Sequence, residues 1–277
     1  MKVSLIISTY NRPEALKLCL DSVLMQKQMP CEVIVGDDGS EEDTRLLVEE
    51  FAGRSPVPVK HIWHPDEGFR LAAIRNKSVA AAVGDYIVQI DGDIVMHPEF
   101  IADHMSVARR GFYAKGSRVR LTPEYTEEAC HSGHFDVPCV FSRGIMKDRE
   151  KAIRLPVAGK WLSHHYKIDS TSGIGCNMAF WRDDFLAVNG YDEYFEGWGA
   201  EDIDLCSRLS HSGLHNFKLF RIGLCYHLWH RESTNPLLAR SLGRIRENEA
   251  QNKTWCDNGV SKYLDNDVNK DNDGRTN

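Results

Sequence analysis

Four short apolar runs in the first hundred residues, each parted from the next by a helix-periodic stretch, constrain this chain more than any other feature. Val3 to Ser8, Glu32 to Val35, Val57 to Trp63 and Tyr86 to Ile90 read as strands. Behind Pro13, which suits a first helical turn, Leu16, Leu20, Val23 and Leu24 recur at helical spacing. Glu41 to Ala52 carries Leu46, Leu47 and Phe51 on one helical face, and Leu71 to Val83 is an alanine-rich third helix. This alternation predicts an α/β fold, a mainly parallel sheet flanked by helices on both faces. In such sheets ligands sit beyond the carboxyl ends of the strands. Polar clusters follow the strands here, at Ser8 to Asn11, Asp37 to Ser40 and Asp91 to Asp93, and so predict one shared site.

Beyond Phe100 the rhythm loosens. Residues 113 to 170 hold Pro, Gly, His and basic residues with little periodicity, which predicts a long functional excursion. Order is expected again over Gly173 to Trp181. Helices follow over Asp184 to Val188, stopped by Asn189-Gly190, and Glu201 to His211, stopped by Gly213. Phe217 to Tyr226 reads as one strand-like run, and a last helix starts near Pro236. The Asn/Asp-rich tail from 257 to 277 is expected to be disordered. Its Asn269 to Gly274 looks like the start of a calcium loop, but the closing Glu such a loop needs six residues after its Gly is missing.

Charge and composition exclude several classes. With 34 basic and 40 acidic residues the net charge is −6, which argues against a nucleic-acid binder relying on bulk positive charge. No apolar run approaches the roughly 18 residues of a membrane span, and the start, with a single Lys and a short apolar stretch, does not read as a signal peptide. The 8 cysteines are scattered without CxxC pairs, as expected of reduced thiols rather than a zinc module.

Four clusters carry chemistry, and each also has a plain structural reading. Asp91-Gly92-Asp93 ends a strand, so its two carboxylates point to one side. It is either an acidic turn or a pair of hard oxygen donors for Mg²⁺ or Mn²⁺. Asp37-Asp38-Gly39-Ser40 is either a turn or a carboxylate for a base or ribose donor. Glu201, Asp202 and Asp204 at a helix start are ordinary dipole partners, yet Gly197-Trp198-Gly199 before them suggests an aromatic-lined approach to a sugar. A carboxylate there could take a proton from an attacking hydroxyl. His227 and His230 follow a strand; they are either structural or nitrogen ligands for the same cation.

Together these residues resemble the family 2 type of GT-A glycosyltransferases. The resemblance rests on Ile6 to Pro13, Gly36 to Ser40, Ala73 to Asn76 and Gly84 to Asp93. In the second half, Asn177 to Trp181, Asn189 to Glu193 and Gly197 to Asp204 are similar to the carboxyl-terminal module of β-1,4-galactosyltransferases and of bacterial chondroitin polymerase. The resemblance implies a GT-A fold. Its Rossmann-like nucleotide-sugar-binding half covers 1–110, and its acceptor-binding, catalytic half covers 111–256 of the same domain. It implies that Ser8, Tyr10, Asp38, Arg75 and Asp91 serve the nucleotide, and that Asp93 and His230 hold Mn²⁺ or Mg²⁺. Trp198 and Glu201 would hold the acceptor, with Asp202 as the base. Two departures stand out: His227 replaces the Met of animal galactosyltransferases, making it an alternative ligand, and Gly36 replaces a usual hydrophobic residue.

The implied reaction is an inverting transfer of a sugar, Gal or GalNAc foremost, from a UDP-sugar to a hydroxyl of a glycan or lipid-linked acceptor in surface polysaccharide synthesis. A sugar-nucleotide nucleotidyltransferase would want a glycine-rich basic loop after the first strand, where Ser-Thr-Tyr-Asn-Arg-Pro stands instead. A non-catalytic sugar-binding module would need no metal site paired with a base. The expected location is cytoplasmic, with peripheral contact at the inner membrane face. Leu238, Leu242 and Ile245 against Arg240, Arg244 and Arg246 could form a membrane-lying helix or one packed on the domain.

Overall fold

The computed structural model describes residues 1–165, 175–231 and 236–264. The first half follows the expected alternation: β1 (Val3–Thr9), α1 (Pro13–Leu24), β2 (Glu32–Asp37), α2 (Glu42–Arg54), β3 (Val59–Trp63), α3 (Leu71–Ala80) and β4 (Tyr86–Asp91). β1 lies between β2 and β4, β2 pairs with β3, and all these pairs are parallel. Alternate residues of the buried strands point to opposite faces. Leu5, Ile7, Val33 and Val35 pack with Leu16 and Leu20 of α1 and with Val48 and Phe51 of α2. Ile6 and Ile34 pack on the other side with Ala72 and Val79 of α3.

The chain continues through β5 (Ile94–Met96), α4 (Phe100–Val107), β6 (Phe112–Lys115), β7 (Val119–Leu121), α5 (Pro123–Ser132), β8 (Ile145–Lys147), a 3₁₀ turn at Arg149–Ala152 and α6 (Pro156–His165). Segment 113–165 is therefore not a structureless excursion. Short strands and helices fill it, too brief to show a period. α5 is bracketed by Thr122, whose Oγ1 accepts the Tyr125 N–H at 3.3 Å, and by left-handed Gly133.

β9 (Asn177–Trp181), α7 (Arg182–Ala187), α8 (Glu201–His211), β10 (His215–Lys218), β11 (Cys225–His227), α9 (Leu238–Ala250) and α10 (Ser261–Leu264) complete the chain. The seven-stranded sheet runs β10-β6-β9-β4-β1-β2-β3, and β9 is antiparallel to both neighbours. A smaller sheet runs β5-β11-β7-β8. The expected single run over 217–226 is thus two strands in different sheets. Arg221 and Gly223, both with φ 59°, turn the chain between them. The tail expected to be disordered from 257 is built into the fold over 257–264, and 265–277 lie outside the described residues. Asn189 holds this stretch, accepting the Val260 N–H at 2.9 Å on its carbonyl and the Ser261 N–H at 2.8 Å on its side chain. The calcium-loop fragment lies outside the described residues.

α9 packs through Ser241, Ile245 and Asn248, and Asn248 donates to Asp204 at 2.8 Å. Leu238 and Leu242 stay exposed. Among the described residues no helix is long and apolar enough to cross a membrane, and all eight cysteines are free thiols.

Gly36 has a packing reason. A Cβ there would lie 2.5 Å from Ser78 Oγ and 3.3 Å from an Ile74 side-chain carbon, so only a bare backbone lets α3 close on β2. Gly36→Ala should cost about 1–3 kcal/mol, the usual range for overpacking. Urea unfolding of that variant alone and with Ser78→Ala checks this; the second change should recover part of the loss.

Candidate active site

The carboxyl ends of β1, β2 and β4 open into a cleft of about 800 Å³, closed on the far side by the start of α8 and by the 118–120 and 148–151 segments. Ser8, Tyr10, Asp38, Arg75, Asp91, Asp93, Trp198, Glu201, Asp202 and His230 all line it, so the fold gathers the residues expected there. His227 reaches it through Asp93.

On the nucleotide side, Ser8 is buried and its Oγ has no partner among the described residues. Tyr10 is half exposed and donates to Asp66 at 2.9 Å. Asp38 is buried, bonded to His64 Nε2 at 2.6 Å and accepting the Arg70 N–H at 2.9 Å. Burial pushes its carboxyl up, against the opposing pull of His64 and Arg70. Asn11 clips β1 to the next turn: its N–H donates to Ser40 Oγ at 2.8 Å and its Oδ1 accepts the Glu41 N–H at 2.9 Å.

At the end of β4, Asp93, His227 and His230 each bring one ligand atom within 4.8 Å of the others. Both imidazole Nε2 atoms stand 3.5 Å from the Asp93 carboxylate, His227 at Oδ1 and His230 at Oδ2. Oδ1 is buried without a hydrogen bond among the described residues. Both histidines face the carboxylate: β11 ends at His227 and the Leu228 N–H donates to the Asp93 carbonyl at 3.0 Å. Burial, then the nearby Arg118, push the His227 pKa down to about 3, which leaves a neutral imidazole lone pair for a metal. One carboxylate and two imidazoles fit a divalent transition ion such as Mn²⁺ better than Mg²⁺, which prefers oxygen ligands. Arg12 also reaches this place, 2.7 Å from Asp93 Oδ2 and 3.2 Å from the Trp229 carbonyl.

Arg75 is fully buried and joins the two halves of the cleft. Its Nη2 donates to Asp91 at 3.0 Å and its Nη1 to Glu201 at 3.1 Å, with the guanidinium 5.4 Å from the Tyr191 ring centre. Arg75 thus lines the cleft, where the resemblance puts it, with its guanidinium held by two carboxylates. Gly175 makes room for it, since a Cβ there would lie 2.8 Å from Nη2.

Glu201 begins α8, and Gly197, Gly199 and Ala200 before it all have positive φ. Ala200, at φ 87°, is a strained, buried position for a residue with a side chain. That bend sets Glu201 and Asp202 side by side at the cleft. Glu201 Oε2 is buried without a partner among the described residues. Burial, then the Asp202 charge, push the Glu201 carboxyl up to about 7 against the pull of Arg75. Asp202 Oδ2 accepts the Gly175 N–H at 2.9 Å. Trp198 is half exposed on the same rim.

Sequence reasoning missed Arg12, Arg118, Arg120, Lys151 and Lys218, all in the cleft wall. Arg118 and Arg120, two apart at β7, share a face; that spacing was the available signal. Arg118 donates to Cys176 Sγ at 2.7 Å. Asp148 lies 3.5 Å from Arg120 and 2.8 Å from Lys151.

The family model described as glycosyl transferase family 2 matches residues 4–185, and the chain belongs to that family. A second model, described as the N-terminal domain of galactosyltransferase, matches residues 160–231. Chondroitin synthase of Escherichia coli is 28% identical over 246 residues, covering 81% of this chain and 34% of that protein. Validoxylamine A glucosyltransferase of Streptomyces hygroscopicus subsp. limoneus is 26% identical over 232 residues, covering 76% of this chain and 48% of that one. The chain thus spans less than half the length of these two relatives. In fold it is similar to a mannosyltransferase, PcManGT of Pyrobaculum calidifontis, solved with GDP-Man and Mn²⁺ (TM-score 0.61, 17% identity, 90% of this chain and 64% of that one). It is also similar to S. aureus TarS 1–349 in complex with UDP (TM-score 0.61, 16% identity, 98% and 71%). These likenesses establish the GT-A type of α/β fold.

Because both imidazoles face Asp93, His227→Ala and His230→Ala should each weaken Mn²⁺ binding at least about tenfold, the loss usual for even an outer partner of a metal ligand. Mn²⁺ titration calorimetry with and without UDP reads this directly. Unchanged affinity in His227→Ala would leave that histidine a structural role only.

Proposed function

We propose that this chain transfers a sugar, Gal or GalNAc foremost, from a UDP-sugar to a hydroxyl of a glycan or lipid-linked saccharide, with inversion at the anomeric carbon, in polysaccharide synthesis in the cytoplasm. The observation that carries the reading is the side-by-side pair Glu201 and Asp202 at the mouth of a cleft whose opposite wall is built from the strand ends of a nucleotide-binding sheet. A nucleotidyltransferase would want a glycine-rich basic loop after β1, where Ser8 to Pro13 stand instead, and a plain sugar-binding module need not keep a metal cluster and a base in one cleft.

In this reading Ser8, Tyr10 and Asp38 receive the base and ribose. Asp91, fixed by Arg75, faces the ribose. Asp93, His230 and His227 would hold Mn²⁺ or Mg²⁺, which when bound neutralises charge on the departing diphosphate. Glu201 uses its unpartnered Oε2 to accept a hydrogen bond from the acceptor sugar, whose ring stacks on Trp198. Asp202, oriented by the Gly175 N–H, takes the proton from the attacking hydroxyl as it adds to the anomeric carbon in line. The transition state carries oxocarbenium character.

Asp202→Asn preserves shape and removes the proton acceptor. It should lower kcat by about 10² to 10⁴ with donor Kd unchanged, read as UDP release at saturating substrates and as UDP-sugar binding. More than about a tenth of the wild-type rate would place the base elsewhere, provided chemistry limits turnover. NMR of the product should show inverted configuration.

Glu201 gives a pH signature. Its folded carboxyl titrates near 7, so below that pH it is protonated and accepts hydrogen bonds less well. Acceptor KM should fall as pH rises through about 7, and Glu201→Gln should flatten that dependence. A pH-independent KM in the wild type would contradict the role. Since the raised carboxyl also disfavours folding as it ionises, stability should decline from the ordinary Glu range up to about 7 and then level off.

A further inference from the structure

The structure carries an exposed apolar and basic face on α6 and the segment after β10, beside the outer wall of the cleft. α6 is seated by Gly159, where a Cβ would lie 2.4 Å from the Phe220 carbonyl, and by Ser163, whose Oγ donates to the Lys218 carbonyl at 3.1 Å. With those two turned inward, 100° per residue sends Val157 and Trp161 directly outward. Val157 is 83% exposed and Trp161 55%. The flanking Ile153, Leu155 and Phe220 are exposed as well, and the Leu155 N–H donates to the Arg221 carbonyl at 2.8 Å, which ties the two segments together.

The segments that build this face are basic, while Glu99, Asp103 and Asp148 border it. Segments 151–165 and 218–222 hold five Lys and Arg residues (Lys151, Arg154, Lys160, Lys218 and Arg221) and no Asp or Glu, in a chain whose net charge is −6. Arg154 is spent on Asp103 at 2.6 Å and Lys151 on Asp148 at 2.8 Å. Lys160 and Lys218 are exposed, and His164 and His165 lie on the same outward side of α6.

We propose that this face docks on a bilayer containing anionic lipid, with Val157 and Trp161 entering the headgroup boundary and Lys160 and Lys218 meeting the headgroups. An outward Trp beside aliphatic side chains, ringed by lysines, is the chemistry of an interfacial helix. Anionic headgroups complement a face that is basic on an acidic protein. Lys151 and Lys218 also line the active-site cleft, so a bilayer here brings the cleft wall to the lipid surface, where a lipid-borne acceptor would present itself. α9 is the poorer candidate: Ile245 is buried, Arg240 donates to Tyr194 at 2.7 Å, and Arg244 lies over the same ring. The proposal does not depend on the sugar-transfer reading.

The test is co-sedimentation of the full chain with vesicles of phosphatidylcholine alone and of phosphatidylcholine with phosphatidylglycerol. The wild type should pellet with the anionic vesicles and less with the neutral ones. Val157→Asp with Trp161→Asp should lower the bound fraction at least about tenfold, since both side chains enter the interface. Lys160→Glu should weaken binding and its salt dependence. Circular dichroism melts of each variant confirm folding. Absence of wild-type binding to anionic vesicles, or equal binding by the double variant, would overturn the proposal. So would concentration-dependent dimerisation in sedimentation velocity that the double variant abolishes, because the face would then belong to a second copy.

Discussion

The site hangs on one buried cation. Arg75 sits on α3, yet it holds Asp91 at the end of β4 and Glu201 at the start of α8, joining the two sides of the cleft through two charged hydrogen bonds. A guanidinium with 1% exposure is tolerable only while those carboxylates face it. Removing one partner of such a group typically costs about 3–5 kcal/mol, because the other charge is left uncompensated. The same geometry leaves Glu201 one buried oxygen without a partner among the described residues, since Arg75 takes only the other.

A second cation ties the opposite side. Arg12, just after β1, reaches Asp93 and the Trp229 carbonyl, so the loop after β11 is fastened to the first motif of the chain. Between the two arginines lies the turn Asp91-Gly92-Asp93, with one carboxylate committed to each. The short acidic turn is thus the junction at which the seven-stranded sheet, the small sheet and α8 meet.

The sequence displays these pieces unevenly. The strand-end clusters, the Glu201-Asp202 pair and the two histidines are local, and their residue types announce their chemistry. The pairing of Arg75 with Glu201 was hidden, because the two lie far apart in sequence and nothing local says that they come within hydrogen-bond distance. The second histidine's orientation was equally hidden, since it depends on where β11 ends. The apolar run at Asn177 to Trp181 is visible as a strand, but its antiparallel place between β4 and β6 is a long-range pairing that no local pattern encodes. α5 left a readable trace in Thr122-Pro123 and Gly133, a cap, a first-turn proline and a stop that periodicity alone overlooks.

That antiparallel strand has a consequence for how the chain is made. β4 is complete in register with β1 once residue 91 has formed, but its other edge is covered by β9, which ends at Trp181. During synthesis the apolar edge of β4 stays open until some ninety further residues have left the ribosome, and then β9 must slot in beside it and receive β6 on its far side. Long-range closure of this sort is slow and leaves an unpaired strand exposed to other chains. The nascent first half is therefore the stage at which this protein is most in need of a chaperone.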